Sequence, residues 1–265
     1  MSEHGIFAAD GEVWRKQRKM ASHIFSVGNF RTHVQKTVQN DLDILMRLAD
    51  DAQRKGATVN LPDVFFRFTL DTFATMAFSA DLACLPTKVD DLEKEVEFAV
   101  AFDYAQTVVN WRFFNPVWQA LEMVSATGRK MRSSIKVLRK TCFDIIDKRL
   151  AAQASGAASG AVGSQGKDLL QLFMDQGLGR EDLLPVVLNF IIAGRDTTAQ
   201  ALAWAFLELR NQPQVVAKIR AEAEAHIGDR LMEYDDLKNM VYTQAVFCEV
   251  LRLHPSVPKN VSVCE

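Results

Sequence analysis

The segment FIIAGRDTTAQALAW (residues 190–204) places an acid beside an alcohol within an apolar run. Asp196 and Thr197 are groups that can hold and pass a proton. Gly194 destabilises a helix by about 1 kcal/mol relative to alanine, and a hydroxyl beside a carboxylate can capture backbone hydrogen bonds and bend or open a turn. An opened turn would leave room for a small ligand. The alternative is a kinked core helix in which the charged residues lie where the apolar face of the helix ends.

Two further groups have spacings that suit chemistry. Glu249 and Arg252, in EVLRLHP, share one helical face, and their apolar neighbours predict a buried ion pair held by further hydrogen bonds. The alternative is a solvated surface pair. Trp14 and Arg18, in WRKQRK, lie one helical turn apart and could clamp an anionic group. A solvated basic face and a localisation signal are the alternatives there.

The elements that must position these residues are almost all helices. Hydrophobic periodicity and capping residues predict helices over residues 10–23, 29–54, 62–78, 89–110 and 127–153, and from about 168, 181, 213 and 241 onwards. The helix from 181 to 211 would be roughly 45 Å long. ATVNL (57–61) predicts a short strand, and a second strand is expected to begin at 261–265. Residues 154–166, ASGAASGAVGSQG, predict a flexible internal loop rich in Gly, Ala and Ser.

Composition excludes several classes of function. The 265 residues are 48% apolar and 24% charged, with a net charge of −2, so no global field favours nucleic acid. The four cysteines form neither a CxxC pair nor a zinc-ligand spacing, so no metal site is assigned. The N-terminus lacks a secretory signal, and no uninterrupted run of about 18 apolar residues predicts a membrane anchor.

The three motifs occur in a fixed order that resembles one family. DGEVWRKQR, AGRDTT and EVLRLHPSVP together resemble the cytochrome P450 superfamily of haem-thiolate monooxygenases. GIFAADGEVWRKQRKMAS, VLNFIIAGRDTTA and LRLHPSVPKNVSV look most like its plant and fungal fatty-acid ω-hydroxylase branch. The resemblance runs from Gly5 to Glu265. It implies a mainly α fold with at most short strands, in which residues 1–265 form a single incomplete domain from the family's C helix through its K helix.

The resemblance also implies a role for each matched pair of residues. The four roles are haem propionate binding by Trp14 and Arg18, an oxygen groove flanked by Ala193 and Gly194, proton relay to dioxygen by Asp196 and Thr197, and a structural brace on the proximal side of the haem by Glu249 and Arg252.

The family's haem-binding cysteine lies in an FxxGxRxCxG loop, and residues 1–265 contain no such loop. Cys264 follows the K-helix exit without the surrounding Phe, Gly and Arg, and Cys248 lies inside that helix, so neither is assigned as the axial ligand. The chain is therefore expected to be the middle of such an enzyme and to be inactive alone.

The partners that the resemblance implies belong to the full-length parent. They are haem, dioxygen, electrons from NADPH through a reductase, and an apolar substrate such as a fatty acid or related lipid. Association with the endoplasmic reticulum membrane is also expected of the parent. Two other functions stay open, namely a non-catalytic helical remnant and a helical module that binds a lipid between its helices.

Overall fold

The structure, a computed structural model, describes residue 6 and residues 9–22, 34–154 and 168–258. These ranges contain ten α-helices and two 3₁₀ segments but no strand, so the prediction of a mainly α fold is confirmed. None of these helices is both long and apolar enough to cross a bilayer. The α-helices are α1 (Gly11–Ser22), α2 (Gln35–Lys55), α3 (Leu61–Phe78), α4 (Glu97–Arg112), α5 (Trp118–Val124), α6 (Ala126–Ala154), α7 (Leu169–Met174), α8 (Arg180–Leu209), α9 (Pro213–His226) and α10 (Val241–Leu253), and the 3₁₀ segments are Val89–Glu93 and Tyr234–Lys238.

Local sequence signals set several of the helix boundaries. Gly56 ends α2 with a left-handed φ of 61°, a conformation that favours glycine. Pro62 lies in the first turn of α3, and Pro213 is the first residue of α9, where the missing N–H of proline has no cost. The Asp168 side chain caps α7 by accepting a hydrogen bond from the backbone N–H of Gln171 at 2.8 Å.

Two of the predicted elements are wrong because tertiary contacts decide them. Residues 57–60 connect α2 to α3 without forming a strand, since no partner strand exists among the described residues to complete a ladder. The helix predicted over 89–110 is a 3₁₀ segment followed by α4. Buried Arg67 donates hydrogen bonds to the carbonyls of Leu92 at 3.0 Å and Lys94 at 3.2 Å, which holds the chain in an irregular path there.

Two predicted segments lie outside the described residues. One is the flexible loop at 154–166, apart from Ala154, which is the last residue of α6. The other is the strand expected at 261–265.

The core surrounds the N-terminal half of α8. This helix packs most extensively along α3 and also contacts α6, α7, α9 and α10. Its fully buried side chains include Leu183, Val187 and Ile191, which join one apolar cluster with residues from α3, α4, α6 and α7. Helix α4 packs chiefly on α6 and reaches α8 through polar side chains. The centre of α8 therefore lies where the apolar core gives way to a polar contact with α4.

Candidate active site

The acid and the alcohol identified in the sequence lie in the middle of α8. The backbone remains α-helical through residues 193–198, so the opened turn, one of the two interpretations that the sequence allowed, does not occur there. The Thr197 hydroxyl nevertheless donates a hydrogen bond to the carbonyl of Ala193 at 2.7 Å. Its proton is therefore directed along the helix toward the preceding turn.

Gly194 has a packing role on the α3 side of α8. A Cβ atom at this position would lie 2.0 Å from Cδ2 and 2.3 Å from Cγ of Phe73 on α3. Real Cβ atoms do not approach other heavy atoms so closely, so only glycine admits the ring in its present place. Its predicted role beside an oxygen groove stays a prediction.

Both carboxylate oxygens of Asp196 have partners. Arg195 donates from Nη1 to Oδ1 at 3.0 Å, and Gln106 on α4 donates from Nε2 to Oδ2. Burial raises the pKa of Asp196, while the hydrogen bond from Gln106 and the charge of Arg195 oppose that rise only in part. The pKa of this carboxyl therefore lies above its ordinary value, which favours a group that can both take up and release a proton.

Arg195 is almost fully buried, with an exposed fraction of 2%. Its Nη1 also donates to Asp103 on α4 at 2.8 Å, and its guanidinium lies over the Phe66 ring at 4.7 Å. The Asp103 side chain is 60% exposed. Asp103, Gln106, Arg195 and Asp196 thus form a continuous α4–α8 polar cluster that extends from solvent to the centre of α8.

The loop that follows α10 is attached to the same part of α8. Ser256 donates a hydrogen bond from its hydroxyl to the carbonyl of Thr197 at 2.8 Å. The His254 ring is stacked on Trp204 with centroids 3.9 Å apart, and its Nε2 is 2.8 Å from Oε1 of Glu208. These contacts place the exit of α10 beside Thr197.

Trp14 and Arg18 lie close to each other on α1. The Arg18 guanidinium lies 5.3 Å from the centroid of the Trp14 ring, and both side chains are exposed. Helix α1 packs on α7. No described hydrogen bond or ion pair connects either residue to the α4–α8 polar cluster. Their assignment to a haem propionate stays a prediction.

Glu249 and Arg252 form the ion pair that their spacing predicts. Two hydrogen bonds of 2.7 Å join the guanidinium to the carboxylate, and this pairing lowers the pKa of Glu249. The side chains are 55% and 66% exposed, so the prediction of a buried pair is wrong for the described residues. Val250 is the only buried residue of α10, a helix that contacts α8 and α9. The bracing role assigned to the pair stays a prediction.

Comparison with known proteins identifies the family. Residues 2–263 match the family model described as Cytochrome P450. The chain belongs to the cytochrome P450 family. It is 37% identical to Cytochrome P450 monooxygenase cyp1 of Mycosarcoma maydis, over 97% of this chain and 41% of that protein. It is 34% identical to Cytochrome P450 94B1 of Arabidopsis thaliana, over 96% and 49% of the two chains, and 31% identical to Cytochrome P450 94A2 of Vicia sativa, over 98% and 50%. The chain spans about half the length of such relatives.

The face of α8 that carries Ala193 and Thr197 fits the flat ring of a cytochrome P450 haem. The two residues are four apart, so they lie on one side of the helix, and both are small and partly exposed. The charged neighbours Arg195 and Asp196 are held toward α4 instead. An uncharged face whose hydroxyl is already hydrogen-bonded can accept an apolar ring without leaving a buried charge unpaired.

The described cysteines are poor candidates for a thiolate ligand. Burial raises the pKa of Cys142 to about 12, and it also raises that of Cys84 well above the usual range, so both are neutral thiols. Cys248 is exposed on α10, and Cys264 lies outside the described residues. The described residues contain no group of three or more His, Cys, Asp or Glu that could hold a metal ion.

The sequence motifs did not reveal three residues of this site. Asp103 and Gln106 lie ninety or more positions before Arg195 and Asp196, their partners in α8, and neither belongs to a motif. Ser256 lies within LHPSVP, but only the structure shows its contact with Thr197.

Proposed function

We propose that this cytochrome P450 chain is the oxygen-activating part of a haem monooxygenase that hydroxylates an apolar substrate. Dioxygen and electrons from NADPH, delivered by a reductase, are the co-reactants. The observation that carries the proposal is the pairing, at the centre of α8, of a small uncharged face with the buried carboxyl group of Asp196, which Gln106 and Arg195 hold. Family membership over residues 2–263 supports the same conclusion.

Each residue then has a definite task. Haem, when bound against Ala193 and Thr197, supplies the oxidising chemistry that inserts an oxygen atom into a C–H bond. Trp14 and Arg18 would hold a propionate through an indole N–H and a guanidinium. Asp196 takes up protons at its carboxyl group. Thr197 holds a proton at Oγ1 and can turn that proton from the Ala193 carbonyl toward the ligand side.

The substrate in this proposal is a fatty acid or related lipid, as in the branch that the sequence resembles. An open groove of about 510 Å³ between α4 and α8 supports an apolar substrate. Its lining combines apolar side chains with two amides that could orient a polar head group. The lining residues are Gln106, Thr107, Val109, Asn110, Phe113 and Ile192.

Membrane association of the parent protein, at the endoplasmic reticulum, is a further part of this proposal. The segment from the end of α4 through α5 exposes several large apolar side chains, among them Phe113, Phe114, Met123 and Val124. Several large exposed apolar side chains within one short segment are typical of an interaction site. The basic residues that follow in α6 would add attraction to anionic lipid head groups.

The direct test uses the complete gene product expressed with a reductase. The proposal expects a thiolate-type spectrum in the reduced, carbon-monoxide-treated protein and hydroxylated product from fatty acids only when NADPH is supplied. A protein that binds fatty acids but carries no haem would instead be the helical lipid-binding module. One that binds neither would be a non-catalytic remnant. Products from other apolar compounds, with none from fatty acids, would contradict only the substrate assignment.

A further inference from the structure

We propose that Gln106 and Asp103 of α4 are positioning residues for the carboxyl group of Asp196. Gln106 holds one carboxylate oxygen directly, and Asp103 holds Arg195, which binds the other oxygen. The inference rests on the proposed function, in which Asp196 delivers protons. We add that the side chains of α4 control how readily the Asp196 carboxyl group takes up and releases a proton.

The geometry separates the acid from the alcohol. Asp196 accepts from Gln106 and from Arg195, both of which are held on the α4 side. Thr197 directs its hydroxyl to the carbonyl of Ala193 instead. The acid and alcohol are neighbours in the chain, yet their side chains have different partners. Asp196 must therefore break at least one of its two hydrogen bonds to pass a proton to Thr197. Hydrogen bonds to an ionised carboxylate are stronger than those between neutral groups.

Arg195 acts as a holder and not as a carrier of protons. A guanidinium stays protonated in proteins, so it cannot pass a proton onward. Its burial demands compensation, which Asp103, Asp196 and the Phe66 ring provide. Its Nε has no hydrogen-bond partner among the described residues, so the guanidinium depends all the more on the two carboxylates.

The two residues of α4 therefore act on Asp196 in opposite directions. The Gln106 amide stabilises the ionised carboxyl group and so lowers its pKa, whereas the negative charge of Asp103 raises it. Removing Asp103 also frees Arg195 to bind Asp196 alone. The charged groups that act on Asp196 are Arg195 on its own helix and Asp103 on α4. Helix α3 contributes only uncharged groups here. They are the Phe66 ring, which lies against the Arg195 guanidinium, and the Thr69 hydroxyl, which donates to the Arg195 carbonyl.

The experiment measures the proton affinity of Asp196 by carbon NMR. The complete gene product is labelled at the aspartate carboxyl carbons and studied in its diamagnetic carbon-monoxide form, and Asp196→Asn identifies the signal. Gln106→Ala should raise the proton affinity by about tenfold or more, because a hydrogen bond to a charged group is lost. Asp103→Asn should lower it by a smaller factor, because the Asp103 side chain is largely exposed to solvent.

A matched control and a second variant complete the test. Gln200→Ala removes an exposed amide from α8, one turn beyond Asp196 and outside the groove, and should leave the titration unchanged. If Gln106→Ala does not fold, Gln106→Glu keeps the size and should give two widely separated titrations, because the introduced carboxyl group and Asp196 would share one proton. Shifts of the same sign in Gln106→Ala and Asp103→Asn, or no shift in either, would overturn the proposal.

Turnover separates this inference from the proposed function. The yield of product per NADPH in Asp196→Asn tests whether Asp196 delivers protons at all. If that yield is unchanged while the NMR shifts occur as expected, the positioning stands and the proton-delivery role fails. If the yield falls but Gln106→Ala leaves both the titration and the pH profile of the yield unchanged, the positioning proposal fails alone.

Discussion

The close approach of Phe73 to Gly194 makes a quantitative prediction about the packing of α3 on α8. Gly194→Ala would gain about 1 kcal/mol from the higher helix propensity of alanine. It would also place a methyl group 2.0 Å from Cδ2 and 2.3 Å from Cγ of the ring. Because Cγ is the root of the ring, rotating the ring does not relieve the contact. Overpacking typically costs about 1–3 kcal/mol, and a contact this short belongs at the upper end, so a net loss of about 1–2 kcal/mol in unfolding free energy is expected.

Urea unfolding of the chain, followed by far-ultraviolet circular dichroism, measures this loss. In a Phe73→Ala background the same substitution should become stabilising by up to about 1 kcal/mol, because only the propensity gain remains. The four variants form a double-mutant cycle, so comparing Gly194→Ala with and without the Phe73 ring separates the cost of the contact from the change in helix propensity. If Gly194→Ala proves neutral or stabilising with Phe73 present, the packing explanation for this glycine is refuted.

Three further outcomes are expected. Asp168→Ala should lower the unfolding free energy measured in urea by about 3–5 kcal/mol, because it leaves Arg149, 3.3 Å away, without its buried partner. In the same urea titration, Asp147→Ala, which removes an exposed ion pair, should show a much smaller loss. The Arg230 guanidinium lowers the pKa of Asp236 to about 2. The stabilisation that this ion pair gives the fold is therefore present above the unfolded pKa of about 4 and is lost as the pH falls toward 2. The difference in melting temperature between wild type and Asp236→Asn should shrink over that interval, and a constant difference would contradict the assignment. Cys248 should react with iodoacetamide in the native chain while the two buried thiols do not, so mass spectrometry should find one modified thiol fewer in Cys248→Ser.

The sequence predicted the long helices well because their signals are local. Observed α8 (Arg180–Leu209) lies within two residues of the predicted bounds at each end, and α6 (Ala126–Ala154) within one. Helix α5 was not predicted, since it is only seven residues long and much of its apolar surface is exposed. The strand at 57–61 failed for a related reason, because β propensity is expressed only when a neighbouring strand is available.

The candidate site was predictable only along the chain. The spacing of AGRDTT placed Asp196 and Thr197 at the centre of one helix, where the structure has them. It did not indicate that Asp196 is held by Gln106, because that contact joins residues ninety positions apart. Likewise, the cost of Gly194 in a helix was visible in the sequence, but the ring that requires it belongs to α3. Such contacts depend on how helices pack, which no short motif encodes.

Proton delivery by Thr197 is tested most directly by the yield of product per NADPH consumed by the complete gene product carrying Thr197→Ala. Thr198→Ala is the control, because Thr198 is the exposed neighbour on the same helical turn. We expect that Thr197→Ala still binds haem and oxidises NADPH, while the yield falls by about tenfold or more and Thr198→Ala keeps the wild-type yield. Equal yields in wild type and Thr197→Ala would contradict the claim that the centre of α8 delivers protons for oxygen activation.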